Sequence, residues 1–218
     1  MTNAPMLPDE KQEVVDGVVY KYSTEWIHSL EPEHHWRLYW HQQKIMRDLI
    51  RPGEHVLELG VGSGFTANYL KSKGIRVTTI DIDQEKDPDI VGNIVTYEFE
   101  TKYDHILAFE VLEHIPFDQV ETLLPKLSAV CNQNFFISVP MNRYVLFRLS
   151  LKLPKMREKS WTLTRKVGKI SGAYHFWEVD FQSITEKKLK ELFIRSGYFI
   201  LAREKVFSKY LFYTLGNH

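Results

Sequence analysis

The segment HVLELGVGSG, residues 55–64, decides the fold of this chain. It begins with an apolar run rich in strand-forming residues, continues through glycines at 60, 62 and 64, and leads into a helical pattern over 65–74. Glycine lets a backbone turn sharply after a strand and approach a ligand closely. The segment therefore predicts a strand, a ligand-binding turn and a helix, in that order.

The alternation of strands and helices continues along the chain. Apolar periodicity predicts strands over 75–81, 104–110 and 134–140, helices over 117–130 and 184–198, and two closing strands over about 199–207 and 209–215. This order is typical of an α/β protein with a parallel sheet. We expect a Rossmann-like three-layer sandwich whose mostly parallel seven-stranded sheet ends in a C-terminal antiparallel hairpin.

The length of 218 residues predicts a single domain. We expect four parts: an N-terminal arm and helices (1–50), a cofactor-binding half (51–140), a basic substrate-side insertion (141–183), and the last helix with the closing hairpin (184–218). Residues 1–23 are expected to be weakly ordered, and the helical pattern over 24–50 is interrupted near Pro32.

Charge is distributed unevenly along the chain. The 28 basic and 28 acidic residues cancel overall. Residues 141–170, however, contain nine basic residues and one acidic residue, so this segment carries +8 and the remainder −8. Within it, VLFRLSLKL (145–153) interleaves apolar and basic residues, as an amphipathic element at a membrane surface does. Three interpretations stay open: a solvated lid, a site for a phosphate- or lipid-linked substrate, and an RNA groove.

Other features bear on the compartment. The chain has no apolar run of 18 residues, so no transmembrane segment is predicted, and its N-terminus lacks the pattern of a secretory signal. Its single cysteine, Cys131, cannot form an internal disulfide. We expect a cytoplasmic protein.

Two acidic residues near the glycines indicate the kind of ligand. Asp81 ends the second strand, where a carboxylate can bind two ribose hydroxyls. Residues 62–67 also match a dinucleotide fingerprint, so an NAD-linked oxidoreductase is an alternative. Glu58 lies two residues before the turn, where it would repel a pyrophosphate and attract a cation. These residues favour a cationic cofactor that contains a nucleoside.

Three motifs resemble those of one enzyme class. ELGVGSG (58–64), TTIDID (78–83) and AFEVLEHIP (108–116) resemble motif I and the second- and fourth-strand motifs of class I S-adenosylmethionine-dependent methyltransferases. Their cofactor carries an ammonium and a sulfonium but no phosphate. EHHWRLYW (33–40) is similar to an aromatic helix before motif I in members thought to modify sugars or envelope glycans.

The resemblance implies a set of S-adenosylmethionine contacts: Glu58, Gly60, Gly62, Gly64, Asp81, Ile82, Asn93 and Phe109. The glycines would wrap the methionine part, Glu58 would reach the ammonium, and Asp81 would hold the ribose. Asn93 stands where relatives usually have Asp near the adenine amino group. Phe109 and Glu110 would flank the methionine end.

Methyl transfer to a hydroxyl needs alignment and a base that removes the proton. His114, just past the fourth strand, is the expected base, because histidine titrates near neutral pH. Glu110 and His175 complete the expected catalytic set.

The sequence Glu110-x-x-Glu113-His114, with His175 further on, also offers ligands for a divalent cation. It resembles a pattern in small-RNA 3′-terminal 2′-O-methyltransferases and, in part, in ubiquinone-pathway O-methyltransferases. The same Glu-His pair is widespread in methyltransferases without a metal, and we expect a metal-free site. A separation of His114 and His175 above about 10 Å would exclude a shared ion.

Missing motifs narrow the acceptor. The Pro-Pro-Tyr/Phe motif of nucleobase amino-group methyltransferases does not follow the fourth strand, and Cys131 follows Val130 rather than the proline of a cytosine-C5 nucleophile. We expect transfer to an oxygen of a small-molecule, sugar or lipid/phosphate-linked acceptor. The alternatives are an RNA 2′-O-methyltransferase with a divalent metal, an NAD-linked oxidoreductase and a non-catalytic S-adenosylmethionine-binding module.

Overall fold

The computed structural model describes residues 12–15, 18–21, 32–156, 159–172 and 174–217, the first two ranges as backbone. In chain order the elements are β1 (Gln12–Val15), β2 (Val18–Lys21), α1 (Glu33–Met46), β3 (His55–Leu59), α2 (Phe65–Ser72), β4 (Arg76–Asp81), β5 (Ile90–Val91), β6 (Tyr103–Phe109), α3 (Phe117–Val130), β7 (Cys131–Pro140), β8 (Arg143–Leu151), β9 (Lys159–Lys166), α4 (Glu186–Arg195), β10 (Tyr198–Val206) and β11 (Tyr210–Asn217). Short 3₁₀ turns span Gln84–Lys86 and Leu112–His114.

The main sheet has seven strands in the order β10-β11-β7-β6-β3-β4-β5. Strands β7, β6, β3, β4 and β5 run parallel, whereas β11 is antiparallel to both β7 and β10. The expected fold class, with its closing antiparallel hairpin, is confirmed. The glycine turn follows the carboxyl end of β3, an inner strand of this sheet, and ligands bind at the carboxyl ends of the strands in folds of this kind.

Helices cover both faces of the sheet because successive strand residues point to opposite sides. Phe135 packs in a cluster with residues of α3 and α4, and its neighbour Phe136 packs in a second cluster with residues of α1 and α2. Both rings are fully buried. The sheet is therefore the middle of three layers, as the sequence predicts.

The N-terminal region differs from the expectation of a weakly ordered arm. Strands β1 and β2 pair antiparallel, with Val15 opposite Val18, so part of this region is a hairpin. The valine-rich run around Gly17 had the composition of two strands joined by a turn. The helical pattern expected before Pro32 lies outside the described residues.

Strands β8 and β9 form a separate antiparallel hairpin within the basic segment. In the described part of the chain they pair with each other and with no third strand. The hairpin begins directly after β7, whose end borders the central cavity. The basic segment thus extends from the rim of that cavity.

Candidate active site

The glycine turn has a backbone that requires glycine. Gly60, Gly62 and Gly64 have φ angles of 76°, 56° and 72°, in the left-handed region. A Cβ atom on Gly60 would come within 2.7 Å of a Val111 methyl group. Gly64 is also the residue at the N-terminus of α2. The turn therefore brings bare backbone to the carboxyl end of β3.

A cavity of about 630 Å³ lies over this turn. It brings together most of the residues expected from the sequence, namely Glu58, Gly60, Gly62, Asp81, Ile82, Phe109, Glu110, Glu113, His114 and His175. Gly64 and Asn93 are not among the described residues that line it. The glycine turn, Phe109, Arg143 and Tyr210 all line this cavity. One continuous space therefore joins the expected cofactor side to the expected acceptor side.

Helix α1 contributes to the wall of the cavity. His35, Leu38, Tyr39 and Gln42 line it. Tyr39 Oη lies 2.8 Å from Ser63 Oγ, which ties the helix to the glycine turn. The aromatic helix that the sequence indicates before the glycine turn thus borders the site through one face.

Glu58 presents an unsatisfied carboxyl group to the cavity. Its side chain is buried, and its Oε2 atom has no hydrogen-bond partner in the described part of the structure. Burial raises the pKa of Glu58 to about 8, against the opposing effect of Lys71. The Ala67 backbone donates a hydrogen bond to this carboxyl group, so only Oε2 lacks a donor. A buried carboxylate oxygen without a donor is costly, so a cationic ligand placed beside Oε2 would be stabilised.

Asp81 lies at the end of β4 with its carboxylate already hydrogen-bonded. Its Oδ2 atom accepts the Val61 N–H at 2.9 Å, and its Oδ1 atom accepts the Asp83 N–H at 3.0 Å. The Lys86 ammonium lies 3.2 Å from Oδ2 and also lines the cavity. Binding of ribose hydroxyls by Asp81 requires Lys86 to share or leave this carboxylate. The sequence analysis did not identify Lys86.

Asn93 is arranged differently from the expectation. Its side chain is buried, and its Oδ1 atom accepts the Val95 N–H at 2.9 Å. The amide oxygen therefore stabilises its own turn, and it is the next residue, Ile94, that lines the cavity. The expected contact of Asn93 with the adenine amino group stays a prediction.

Glu110 and Glu113 form a buried acidic pair. Glu110 has a φ angle of 55°, and the 3₁₀ turn begins only at Leu112, so residues 110–114 are not one helical turn. Both oxygens of Glu113 and Oε1 of Glu110 are buried without a hydrogen-bond partner among the described residues. Burial raises the pKa of Glu110 to about 7, and burial together with Glu110 raises that of Glu113 well above its ordinary range.

His114 is held by the backbone of a distant segment. Its Nδ1 atom lies 3.0 Å from the carbonyl oxygen of Tyr174. Because a carbonyl only accepts, Nδ1 carries the proton and the lone pair of the neutral ring is on Nε2. This tautomer is the one that a base acting through Nε2 needs.

His175 is held by a carboxylate that the sequence analysis missed. Its Nδ1 atom lies 3.0 Å from Glu178 Oε1. Although burial acts in the opposite direction, hydrogen bonds from His175, Ser171, Asn142 and Gly172 lower the pKa of Glu178 to about 2. An ionised carboxylate at Nδ1 fixes the orientation of the ring. The spacing His-x-x-Glu over 175–178 was the available signal.

The two histidines and the acidic pair meet in space. The ring centroids of His114 and His175 are 5.2 Å apart. This separation is below the limit of about 10 Å, so the two histidines are close enough to share an ion. Possible ligand atoms of Glu113, His114 and His175 all lie within 4.8 Å of one another. Such a cluster can remove a proton from an acceptor or hold a divalent cation.

The fold and site together define a class I methyltransferase: a glycine turn after an inner parallel strand, a buried carboxyl oxygen without a hydrogen-bond partner among the described residues, and a second group of bases in the same cavity. Residues 32–202 match the model of a family described as a methyltransferase domain. The chain belongs to this family, and the expected class is confirmed. No curated protein matches the sequence.

Solved structures of similar fold are methyltransferases. Magnesium protoporphyrin IX methyltransferase from Synechocystis PCC 6803, with bound S-adenosylhomocysteine, has a TM-score of 0.57 at 14% identity, over 85% of this chain and 84% of that one. The 1,6-didemethyltoxoflavin-N1-methyltransferase of Burkholderia thailandensis has a TM-score of 0.53 at 20% identity, over 89% and 86%. A glycopeptide N-methyltransferase has a TM-score of 0.57 at 11% identity, over 86% and 98%. At these identities the likeness concerns the fold.

Among the described residues, every helix is too short or too polar to cross a bilayer.

Proposed function

We propose that this protein transfers a methyl group from S-adenosylmethionine to an oxygen of a small-molecule, sugar or lipid/phosphate-linked acceptor. The observation that carries the proposal is the cavity that is lined by Glu58 and also by the two histidines. Donor and acceptor can therefore meet in one cavity, which methyl transfer by direct displacement requires.

The residues at the glycine turn fit the proposed cofactor. The unpartnered Glu58 oxygen suits the ammonium of the methionine part, directly or through a water molecule. The backbone at Gly60 and Gly62 allows the cofactor to approach closely. Asp81 would bind the ribose hydroxyls after the Lys86 ammonium moves away from its carboxylate. When bound, S-adenosylmethionine supplies a methyl carbon activated by its bond to a sulfonium. The solved structures of similar fold that contain this cofactor or its product support the assignment.

The histidines supply the proton chemistry. His114 and His175 both carry the lone pair of the neutral ring on Nε2, since their Nδ1 atoms donate to Tyr174 and Glu178. Nε2 of either histidine would take the proton of the acceptor hydroxyl when bound S-adenosylmethionine gives its methyl group to the hydroxyl oxygen. The Glu178 carboxylate orients the His175 ring for this role. Glu110 flanks the reacting centre as a buried carboxyl group.

The test uses cofactor labelled in its methyl group. Purified protein is incubated with labelled S-adenosylmethionine and separate lipid, small-molecule, protein and RNA fractions of an extract. The proposal expects label in the lipid or small-molecule fraction, in a product whose methyl group is bonded to oxygen by mass spectrometry. Label on nitrogen, or no label above that of a Glu58→Ala variant, would overturn it.

A second candidate is supported by the acidic pair. The unpartnered oxygens of Glu113, close to two imidazoles, are a suitable ligand set for Mg²⁺ or Mn²⁺. The ion would orient the acceptor hydroxyls, and the resemblance to small-RNA enzymes makes the 3′-terminal 2′-hydroxyl of RNA the corresponding acceptor. Label in the RNA fraction that depends on added Mg²⁺ or Mn²⁺ would favour this candidate.

The compartment and the division of the chain are proposals as well. The cytoplasm remains the proposed location because the single cysteine, Cys131, is a buried free thiol. We also keep the proposal that 1–218 forms one methyltransferase domain, with 141–183 as its substrate-side insertion.

A further inference from the structure

The hairpin formed by β8 and β9 has one apolar and one polar face. Cross-strand partners share a face, and the pairs Phe147–Leu163 and Leu149–Trp161 lie on the same one. The opposite face carries the pairs Arg148–Thr162 and Ser150–Ser160. The four apolar side chains are between 52% and 61% exposed. Leu151 extends the apolar face towards the tip and is also half exposed.

An exposed apolar face of this size is unusual for a protein surface. Leu146, Leu153 and Met156 add further exposed apolar side chains along the same hairpin. Large contiguous apolar patches on soluble surfaces mark interaction sites. An isolated two-stranded hairpin is also marginally stable in water and gains stability when its apolar face is covered. The hairpin therefore needs a partner surface for this face.

The charge of the hairpin identifies that surface. Residues 141–156 and 159–170 contain eight basic and no acidic residues. Lys152, Lys155 and Lys159 surround the tip, next to the apolar face. A symmetric pairing of two copies through this face would bring two equally basic hairpins together and be repelled. An anionic lipid surface offers both an apolar interior and negative headgroups.

We propose that the β8–β9 hairpin docks this protein on an anionic bilayer, with Phe147, Leu149, Trp161 and Leu163 in the interface and the flanking lysines at the headgroups. Arg143 and Tyr144, at the base of the hairpin, also line the central cavity. Docking therefore brings the acceptor end of the cavity to the lipid surface. This last step rests on the proposed function and makes a lipid-linked acceptor the expected class.

Vesicle flotation of the full chain tests the proposal. We expect binding to phosphatidylcholine vesicles that contain about 30% phosphatidylglycerol, weak binding to phosphatidylcholine alone, and release as salt screens the charges. The triple variant Phe147→Ser, Leu149→Ser, Leu163→Ser should bind at least about tenfold more weakly, because each lost apolar contact weakens insertion. A matched triple variant of exposed apolar residues outside the hairpin, Leu49→Ser, Ile194→Ser, Leu201→Ser, should bind like wild type.

Two further measurements locate the contact. Replacing Lys152 and Lys155 by Gln should weaken binding to the anionic vesicles, whereas replacing Lys73 and Lys187 should not. Brominated lipid should quench tryptophan fluorescence in the wild type and much less in Trp161→Phe, which keeps the apolar character of the face.

Several results would overturn the proposal. One is that the wild type does not bind vesicles, and another is that the triple serine variant of the apolar face binds them equally well. A concentration-dependent dimer of the wild type, or RNA binding by the wild type, that is lost in the triple serine variant would also overturn it. The binding of S-adenosylhomocysteine to every variant is measured by calorimetry. Retained binding shows that the variant is folded, and it separates a failure of docking from a failure of the proposed function.

Discussion

The ring centroids of His114 and His175 lie 5.2 Å apart, with the ring planes at 82° to each other. His114 follows β6, whereas His175 lies between the basic hairpin and α4. The contact between them is made by the segment that returns from the hairpin. The Tyr174 carbonyl oxygen accepts a hydrogen bond from His114 Nδ1, and the Phe176 N–H donates to the Glu113 carbonyl at 2.8 Å. The candidate catalytic group therefore assembles only when this segment packs against the turn after β6.

Replacing His175 by Gln should lower the rate of methyl transfer while leaving cofactor affinity unchanged. The loss expected for a general base is about 10²- to 10⁴-fold in kcat. His34→Gln is the matched control, because His34 is exposed on α1 and is not a lining residue of the cavity. Steady-state kinetics with saturating S-adenosylmethionine provide the measurement. A variant that retains the wild-type kcat would remove His175 from the mechanism.

Replacing Glu178 by Gln should lower the free energy of unfolding at neutral pH and change it little at acidic pH. The pKa of Glu178 is lowered from 4.5 to about 2, so its contribution is present above pH 4.5 and disappears as the pH falls towards 2. We expect a loss of about 1–3 kcal/mol in the free energy of unfolding at pH 7, measured by urea denaturation. The gap between wild type and variant should narrow steadily below pH 4.5. A gap that does not depend on pH would contradict the assigned network.

Replacing Gly60 by Ala should abolish cofactor binding through a clash as well as backbone strain. The new methyl group would meet Val111, in addition to the cost of a left-handed residue. Gly53→Ala is the matched control, because Gly53 has a φ of 90° but open space around its Cβ position. Both variants should lose about 1–2 kcal/mol of stability, but only Gly60→Ala should lose S-adenosylhomocysteine binding by calorimetry. Equal binding by the two variants would argue against the glycine turn as the cofactor site.

Metal analysis distinguishes the two candidate functions. The metal-free proposal expects no stoichiometric metal in the purified protein and full activity in a chelator. The second candidate expects one Mg²⁺ or Mn²⁺ bound with release of protons, since burial raises the pKa of Glu113. Glu113→Gln should then lose the ion, while Glu98→Gln, which changes an exposed carboxylate, should keep it. Calorimetry with MnCl₂ in buffers of different ionisation enthalpy separates these outcomes.

Most of the sheet could be predicted because its strands are buried on both faces. Apolar runs such as 134–140 and helix periodicity such as 117–130 reflect burial directly, and α3 has the predicted limits with Val120 and Leu124 buried. The strand that was missed, β5, has two residues at the sheet edge, too few to show a period. The hairpin of β8 and β9 was missed because its apolar face has no partner within the described chain, and its alternation with basic residues also fits other amphipathic elements.

Site residues could be predicted where they lie within one sequence motif. They could not be predicted where they depend on contacts between segments that are distant in the sequence. The glycine turn and Glu58 are encoded within one segment, and both line the same cavity. The contact of Lys86 with Asp81 and that of Glu178 with His175 depend on the conformation of loops. The spacing of residues in the sequence does not specify that conformation. Asn93 shows the opposite case, since its position matched the motif but its amide oxygen serves its own turn.

The central claim is that the cavity binds S-adenosylmethionine with its ammonium at Glu58, and the pH dependence of S-adenosylhomocysteine binding tests it most directly. Because burial raises the pKa of Glu58 to about 8, ligand binding must ionise the carboxyl group and release a proton below that pH. The association constant measured by calorimetry should rise up to about tenfold per pH unit between about pH 6 and 8. In Glu58→Gln it should be weaker and flat with pH. Binding of NADH without S-adenosylhomocysteine binding, or a Glu58→Gln variant with the wild-type pH profile, would contradict the account.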